Sequence, residues 1–416
     1  MRALLGQRPL RFVFAANLIS MVGSGMNSAA VAWYILEATH SEMALGTFAV
    51  LQTLPAMLML PFTGVLIDRE DRRRLVMWLD ALRALIIVAV AVLAFRHQVR
   101  VWQLYFMNML VAAGFWMFWP TITALIQELT PEGQFVQSNT VLLAGVQGGF
   151  LIAGAVVGFI YNHIGLGGVL LLDVSTYVVS FLCYFAVRKG RHVVIRPQEL
   201  RSDIRAAESQ WEQFWREMRG GFEFLRGHRA VVLLGASWAL FLGAMTTGVV
   251  LTPSLSERVF HAGAQGYGWL NAGWGTGAFV SAMYAPQIIA WLGSRRTIGF
   301  SMALLAACVA CAPVSGFLAL AIATYFLMGS ARGTGGVAMN TSLMELVPKH
   351  LMGRVQNTFY FAGTFLQLVL ALIIGVVAQK VSLVLGFAIQ ACVYGLAFVA
   401  ATLPVSARAR EPVAAD

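Results

Sequence analysis

Residues 51–85 read LQTLPAMLMLPFTGVLIDREDRRRLVMWLDALRAL. An apolar run ends at Ile67, a charged stretch follows from Asp68 to Arg74, and a second apolar run begins at Leu75. Each run is about twenty residues, long enough to cross a hydrocarbon core of roughly 30 Å as a helix. The stretch therefore reads as two membrane spans joined by a short, strongly basic loop.

Working outward, the same pattern recurs through the chain. Twelve apolar runs fall at about 11–36, 43–67, 75–95, 102–127, 138–161, 168–187, 230–255, 266–291, 297–313, 316–345, 355–379 and 382–403. Of the 416 residues, 59% are hydrophobic and 12% charged. Soluble domains carry roughly 25% charge, so a water-soluble fold is excluded. The expected fold class is an all-α membrane protein of twelve transmembrane helices in two pseudo-symmetric six-helix bundles.

The net charge of +10 is a topology signal. With the N-terminus in the cytoplasm and alternating spans, cytoplasmic ends and short loops hold Arg2, Arg8, Arg11, Arg69, Arg72, Arg73, Arg74, Arg295, Arg296, Lys349, Arg354, Arg408 and Arg410. The outer loops hold only Arg96, Arg100, Arg258 and Lys380. This is the positive-inside distribution, with both termini cytoplasmic and the chain in a bacterial-type inner membrane. Nucleic acid is not an expected partner. The basic start followed by an apolar run without a cleavage site is expected to be a retained first helix.

The longest polar stretch, 188–229, separates spans six and seven. Trp211, Phe214, Trp215, Met218, Phe222 and Leu225 recur there at helical spacing, predicting an amphipathic helix on the membrane surface. The expected organisation is a bundle over 1–187, this linker, a second bundle over 230–404 and a tail over 405–416. An internal repeat supports it: ELTPEGQFVQSNTVLLAG (Glu128 to Gly145) follows span four and ELVPKHLMGRVQNTFYFAG (Glu345 to Gly363) follows span ten. With one residue inserted, Glu-Leu, Pro, Gln, Asn and the final Ala-Gly match. Parallel repeats of this kind place a substrate site near the midplane of a transporter.

The loop GVLIDREDRRR, Gly64 to Arg74, resembles the cytoplasmic loop of the major facilitator superfamily, whose pattern is G-x-x-x-D-R/K-x-G-R-R/K. Gly64, Asp68, Arg69, Arg72 and Arg73 match, and Asp71 stands where the pattern has glycine. The flanking spans, WYILEATHS in span one and LVPKHLMGRVQN in the second half resemble the drug-antiporter branch that includes macrolide-efflux and enterobactin-exporter proteins. The resemblance implies a gating role for Asp68 and Arg72. Charge near helix ends gives a physical basis, since carboxylates favour helix N-termini and arginines favour C-termini.

Glu128 and Glu345 each end a helix, where the dipole disfavours them. Glu128 is expected near Arg72 or Arg73, and Glu345 near Arg295, Arg296 or Arg354. The second-half loop QIIAWLGSRRT has Trp291 where Asp68 aligns, so the gate should be asymmetric. Asp80 and Arg83, three apart in span three, are expected to pair with each other or with the gate. One departure from proton-driven exporters lies in span five, where Ala155 follows Gly154 in place of a Gly-Pro pair.

Polar residues inside spans are functional candidates by default. Asn17, Ser20, Ser24 and Asn27 form a stripe on span one, and Asn357, Tyr360, Thr364 and Gln367 one of the same spacing on span eleven. Both are expected to face a central cavity, joined by Asn108, Phe115 and Trp119 of span four; hydrogen bonding within a half is the alternative for the polar stripes, and core packing for the aromatic residues. Glu37 and Asp173 are candidate proton-coupling carboxylates. Arg332, mid-span, is expected to face the cavity and pair with Asp173 or Glu37.

The histidines fall in loops or at span ends, and Cys308 and Cys311 lack further ligands, so no metal site or cofactor is expected. With no H-E-x-x-H and no repeated filter, neither an enzyme nor a channel is indicated. The expected function is secondary active transport, a proton-coupled efflux antiporter exporting small amphipathic molecules of drug or siderophore type by alternating access. Lipid or lysolipid translocation and import are the alternatives. Expected partners are a small-molecule substrate, the proton and the lipid bilayer, with the chain a monomer.

Overall fold

The computed structural model describes residues 7–69, 71–131, 134–187, 219–348 and 351–403; the side chains of 60–69 and of some residues between 135 and 155, and that of Gly353, are outside the description. Most of the linker, Lys349 and the tail therefore lie outside the described residues. Every regular element among those described is helical. In order these are α1 (Arg8–Thr39), α2 (Glu42–Arg69), α3 (Arg72–Phe95), α4 (Val101–Leu129), α5 (Phe135–Ala186), α6 (Arg229–Met245), α7 (Gly248–Ser254) with a π turn Leu255–Val259, α8 (Gly263–Leu292), α9 (Ser294–Cys311), α10 (Leu318–Leu346), α11 (Met352–Lys380) and α12 (Leu383–Thr402). Residues 219–227, in the expected linker, are also helical.

Helix ends follow local chemistry. α5 is 52 residues long and breaks at Gly165, whose φ of 63° is a left-handed conformation that favours glycine. It thus supplies two consecutive helical segments. His40, His97 and His261 sit at φ of 49°, 54° and 49°, just past helix ends. His40 caps α1, its N–H donating to the Leu36 carbonyl at 2.7 Å. Asp71, the departure from the loop pattern, is the N-cap of α3: its carboxylate accepts from the Arg73 and Arg74 backbone N–H groups.

Eight segments among the described residues are long and apolar enough to cross a membrane by length and composition. α1, α8 and α10 are not among them, and these helices carry polar and glycine residues that dilute their hydropathy. Large apolar side chains stand exposed along the helices, including Trp78, Leu85, Met283 and Trp291. In a bilayer such faces meet lipid tails, which are as apolar as leucine.

The chain forms two compact units. The first comprises Met1–His40, Leu51–Gln210 and Gly263–Gly275, and the second Ser41–Val50, Trp211–Ala262 and Thr276–Asp416. These boundaries differ from a simple division at the linker by two short segments. The first turns of α8 belong to the first unit, where Gly268 meets the backbone of Gly158 and Tyr267 stacks on Trp33 at 5.9 Å. The first turns of α2 belong to the second, where Gly46 lies against the Ala371 carbonyl of α11. Within the first unit α1 packs along α5, and α3 packs on both α4 and α5. The core cluster there joins Leu10, Phe14 and Met21 of α1, Val76 and Leu79 of α3, Phe118 and Ile122 of α4, and Tyr184 of α5.

Candidate functional site

At the loop Asp71–Arg74, each arginine has its own task. Arg72 Nη1 donates to the Ala124 carbonyl at 3.3 Å and lies 3.6 Å from Glu128 Oε2, so the structure brings Arg72 and Glu128 together. Arg73 reaches the end of α5 instead. Its Nε and Nη2 each donate at 2.6 Å, to the carbonyls of Tyr184 and Phe185, placing positive charge on a helix C-terminus. Gly64, Asp68 and Arg69 lie on the last turns of α2, with side chains outside the described residues.

In the second unit, Arg295 has the same role as Arg73. It donates through Nε to the Ala401 carbonyl at 3.1 Å and through Nη2 to the Leu403 carbonyl at the end of α12. Arg295, Arg296 and Glu345 line a shared cavity of about 510 Å³. Arg354 lies elsewhere, its Nη1 against Gly220.

Deeper in the first unit is a charged layer. Asp80, Arg83 and Asp173 are all buried, at 0%, 1% and 0% exposure. Arg83 Nη2 donates to Asp80 Oδ1, and Ser180 donates to Asp80 Oδ2 at 2.7 Å. The guanidinium lies between two rings, 4.7 Å from the Phe118 centroid and 4.6 Å from that of Tyr177. Gly114 of α4 leaves room for its stem, since a Cβ there would sit 3.1 Å from Arg83 Cγ and Cδ. From α1, Asn27 donates to Asp173 Oδ2 at 2.7 Å, and the Ser24 and Tyr177 hydroxyls are 2.9 Å apart.

This geometry bears on several expectations. Asp80 and Arg83 pair with each other, one of the two partners expected for them, within a buried layer that contacts α4 and α5. Ser24 and Asn27 hydrogen-bond inside their own unit, the alternative expected for the polar stripes. Asn17 and Ser20 are buried too, their polar atoms without hydrogen-bond partners among the described residues. Phe115 and Trp119 lean on the apolar core, and Asn108 is buried. Arg332 Nε donates to Met245 Sδ at 3.4 Å in the second unit. Asp173 is held by Asn27, while Glu37 at the exposed end of α1 accepts from Tyr161 at 3.2 Å. On α11, Asn357 and Tyr360 are exposed, Thr364 is half-buried and Gln367 donates to the Leu242 carbonyl at 2.9 Å.

Tyr177 and Ser180 escaped the reading of the sequence, although a signal was there. Asp173, Tyr177, Ser180 and Tyr184 recur at spacings of 4, 3 and 4, a polar stripe like that on α1. Glu42 escaped as well. It is fully buried at the start of α2, 2.9 Å from Arg258.

A family model for the Major Facilitator Superfamily matches residues 13–365, and again 233–415. The chain belongs to the Major Facilitator Superfamily. This superfamily member is 22% identical over 363 residues to macrolide efflux protein A of Streptococcus pyogenes, covering 86% of this chain and 85% of that protein. It is 23% identical over 380 residues to an uncharacterized MFS-type transporter, YkuC, of Bacillus subtilis, covering 88% and 84%. Among solved structures, the nucleoside transporter NupG matches with a TM-score of 0.70 at 14% identity, over 95% of this chain and 98% of that one. A bacterial homologue of the iron transporter ferroportin, inward-facing, matches with a TM-score of 0.70 at 14% identity, over 95% and 99%. At such identities the structural likeness shows the major facilitator fold. The chain is thus a multi-pass membrane transporter with efflux-named relatives.

Proposed function

We propose that the chain is a proton-coupled exporter of small amphipathic molecules, working by alternating access in a bacterial inner membrane. The observation that carries this reading is the buried Asp80–Arg83–Asp173 layer. Ionisable groups at depth in a membrane protein mark ion pathways and coupling sites, because their burial is costly without a function. The direction is supported by relatives named for macrolide efflux over most of the chain's length. Six helices before the linker 188–229 and six after it form the two moving bundles.

In this reading the loop is a cytoplasmic latch in which Asp68 and Arg72 act with Glu128, while Gly64 and Arg69 complete the loop pattern. Arg73 anchors the loop to α5. Glu345 and Arg354 belong to the corresponding region of the second half. Arg332, Asn108, Asn357, Tyr360 and Thr364 are the remaining candidates for substrate contact.

The test is reconstitution into proteoliposomes with an imposed pH gradient, offering a cationic dye, a macrolide, a siderophore and a fluorescent lysolipid. Accumulation of dye, macrolide or siderophore against the proton gradient, collapsed by a protonophore, is the expected result. Lysolipid movement indifferent to the gradient would replace export of soluble molecules with lipid translocation. Solute movement in the same direction as the proton would make the chain an importer.

A further inference from the structure

The charge in the buried layer does not balance. Its contributors can be taken helix by helix. α3 supplies Asp80 and Arg83, and α5 supplies Asp173, Tyr177 and Tyr184, with Cys183 beside them. α1 supplies only neutral Ser24 and Asn27, and α4 an aromatic ring and a glycine. Two carboxylates therefore share one guanidinium in a place closed to water.

The two carboxylates are not served equally. Asp80 has Arg83 on one oxygen and Ser180 on the other. Asp173 has the neutral Asn27 amide on Oδ2 and, among the described residues, only the Thr176 hydroxyl at Oδ1, at 3.4 Å. That hydroxyl directs its single proton to the Asp173 carbonyl, at 2.7 Å. Arg83 in turn keeps Nη1 buried with no hydrogen-bond partner among the described residues.

We propose that the Asp80–Arg83–Asp173 layer is a binding site for one proton, carried on Asp173. A buried carboxylate without a cation of its own calls for a counter-charge. A proton fits better than a metal ion, because the group facing Asp173 Oδ2 is a donor, the Asn27 amide, while a hard cation requires a shell of oxygens. When the proton leaves, Asp173 competes with Asp80 for Arg83, whose spare Nη1 can answer. When it returns, Arg83 belongs to Asp80 alone.

The site also has a mechanical output. Gly23 of α1 lies so close that a Cβ there would fall 2.4 Å from Asp173 Oδ1. Nothing separates this carboxylate from α1, so its change of charge acts on that helix directly. The inference rests on the transporter reading only for its consequence in transport.

Infrared difference spectroscopy on the full chain in liposomes, stepped across pH, tests the site without a substrate. One carboxylic-acid carbonyl band is expected to appear as pH falls and to vanish in Asp173→Asn. Asn27→Ala, which keeps the carboxyl, should retain the band with a moved midpoint. Replacing potassium by sodium should leave it unchanged. A band untouched by Asp173→Asn, or one governed by sodium, overturns the site. A band that depends on Asp173 in a protein whose transport ignores the pH gradient upholds the site and overturns only the coupling reading.

Discussion

The two units hold their arginines in ways that are alike at the helix ends and unlike in the interior. Arg73 caps α5 and Arg295 caps α12, each arginine donating to two terminal carbonyls. Deeper, α5 carries Asp173 and Tyr177 four residues apart, and α12 carries Gln390 and Tyr394 at the same spacing. Arg83 of α3 lies over Tyr177, whereas the arginine beside Tyr394 is Arg332 of α10. Where the first unit has a carboxylate on α1's Asn27, the second has the Gln390 amide donating to the Ala244 carbonyl at 3.1 Å. The capping arginines are thus common to both units, whereas the aspartate of α5 has a neutral amide as its counterpart on α12.

Substitutions can break that comparison, and the largest effect is expected at Arg83. Arg83→Met leaves Asp80 and Asp173 buried without a cation, and removing one partner of a buried pair costs about 3–5 kcal/mol. Thermal unfolding of the purified protein in detergent should show a large loss. An unchanged midpoint would mean that the layer is not charged.

Next comes Gly23→Ala, whose methyl would fall 1.9 Å from Thr176 Oγ1. Overpacking of this kind costs about 1–3 kcal/mol. Distance measurements between labels on α1 and α5 should report separation of the helices, and an unmoved distance would show that the contact relaxes locally.

Smaller again is Asp71→Ala, which removes an N-cap worth about 1 kcal/mol. Its counterpart α9 has Gly293 as N-cap, with φ of 80° and no side-chain cap, so no substitution there mimics it. Hydrogen exchange should quicken in the first turn of α3 alone. Arg73→Ala and Arg295→Ala should be the mildest and the most alike, about 0.3–1 kcal/mol each from the helix-terminal charge. A difference between them well outside that range in thermal unfolding would end the parallel between the capped helix ends.

Most of the fold was legible in the sequence because a membrane span declares itself by length and composition. The loop motif, the repeat and the charge asymmetry needed no coordinates. Which way a polar stripe faces was not legible. Asn17, Ser20, Ser24 and Asn27 share a face of α1 in any reading, but only packing against α5 turns Ser24 and Asn27 toward Tyr177 and Asp173. Asp71 looked like a defect in a glycine pattern and proved to be a helix cap, a role set by backbone angles that a motif does not record.

The central claim is that the carboxylate of the first unit, and not the matching amide of the second, couples the proton to transport. Transport driven by an imposed pH gradient, measured side by side for wild type, Asp173→Asn and Gln390→Ala in proteoliposomes, tests it most directly. The account predicts that Asp173→Asn loses the response to the gradient while still exchanging substrate, and that Gln390→Ala keeps it. Gradient-driven accumulation persisting in Asp173→Asn, or disappearing in a well-folded Gln390→Ala, would contradict it.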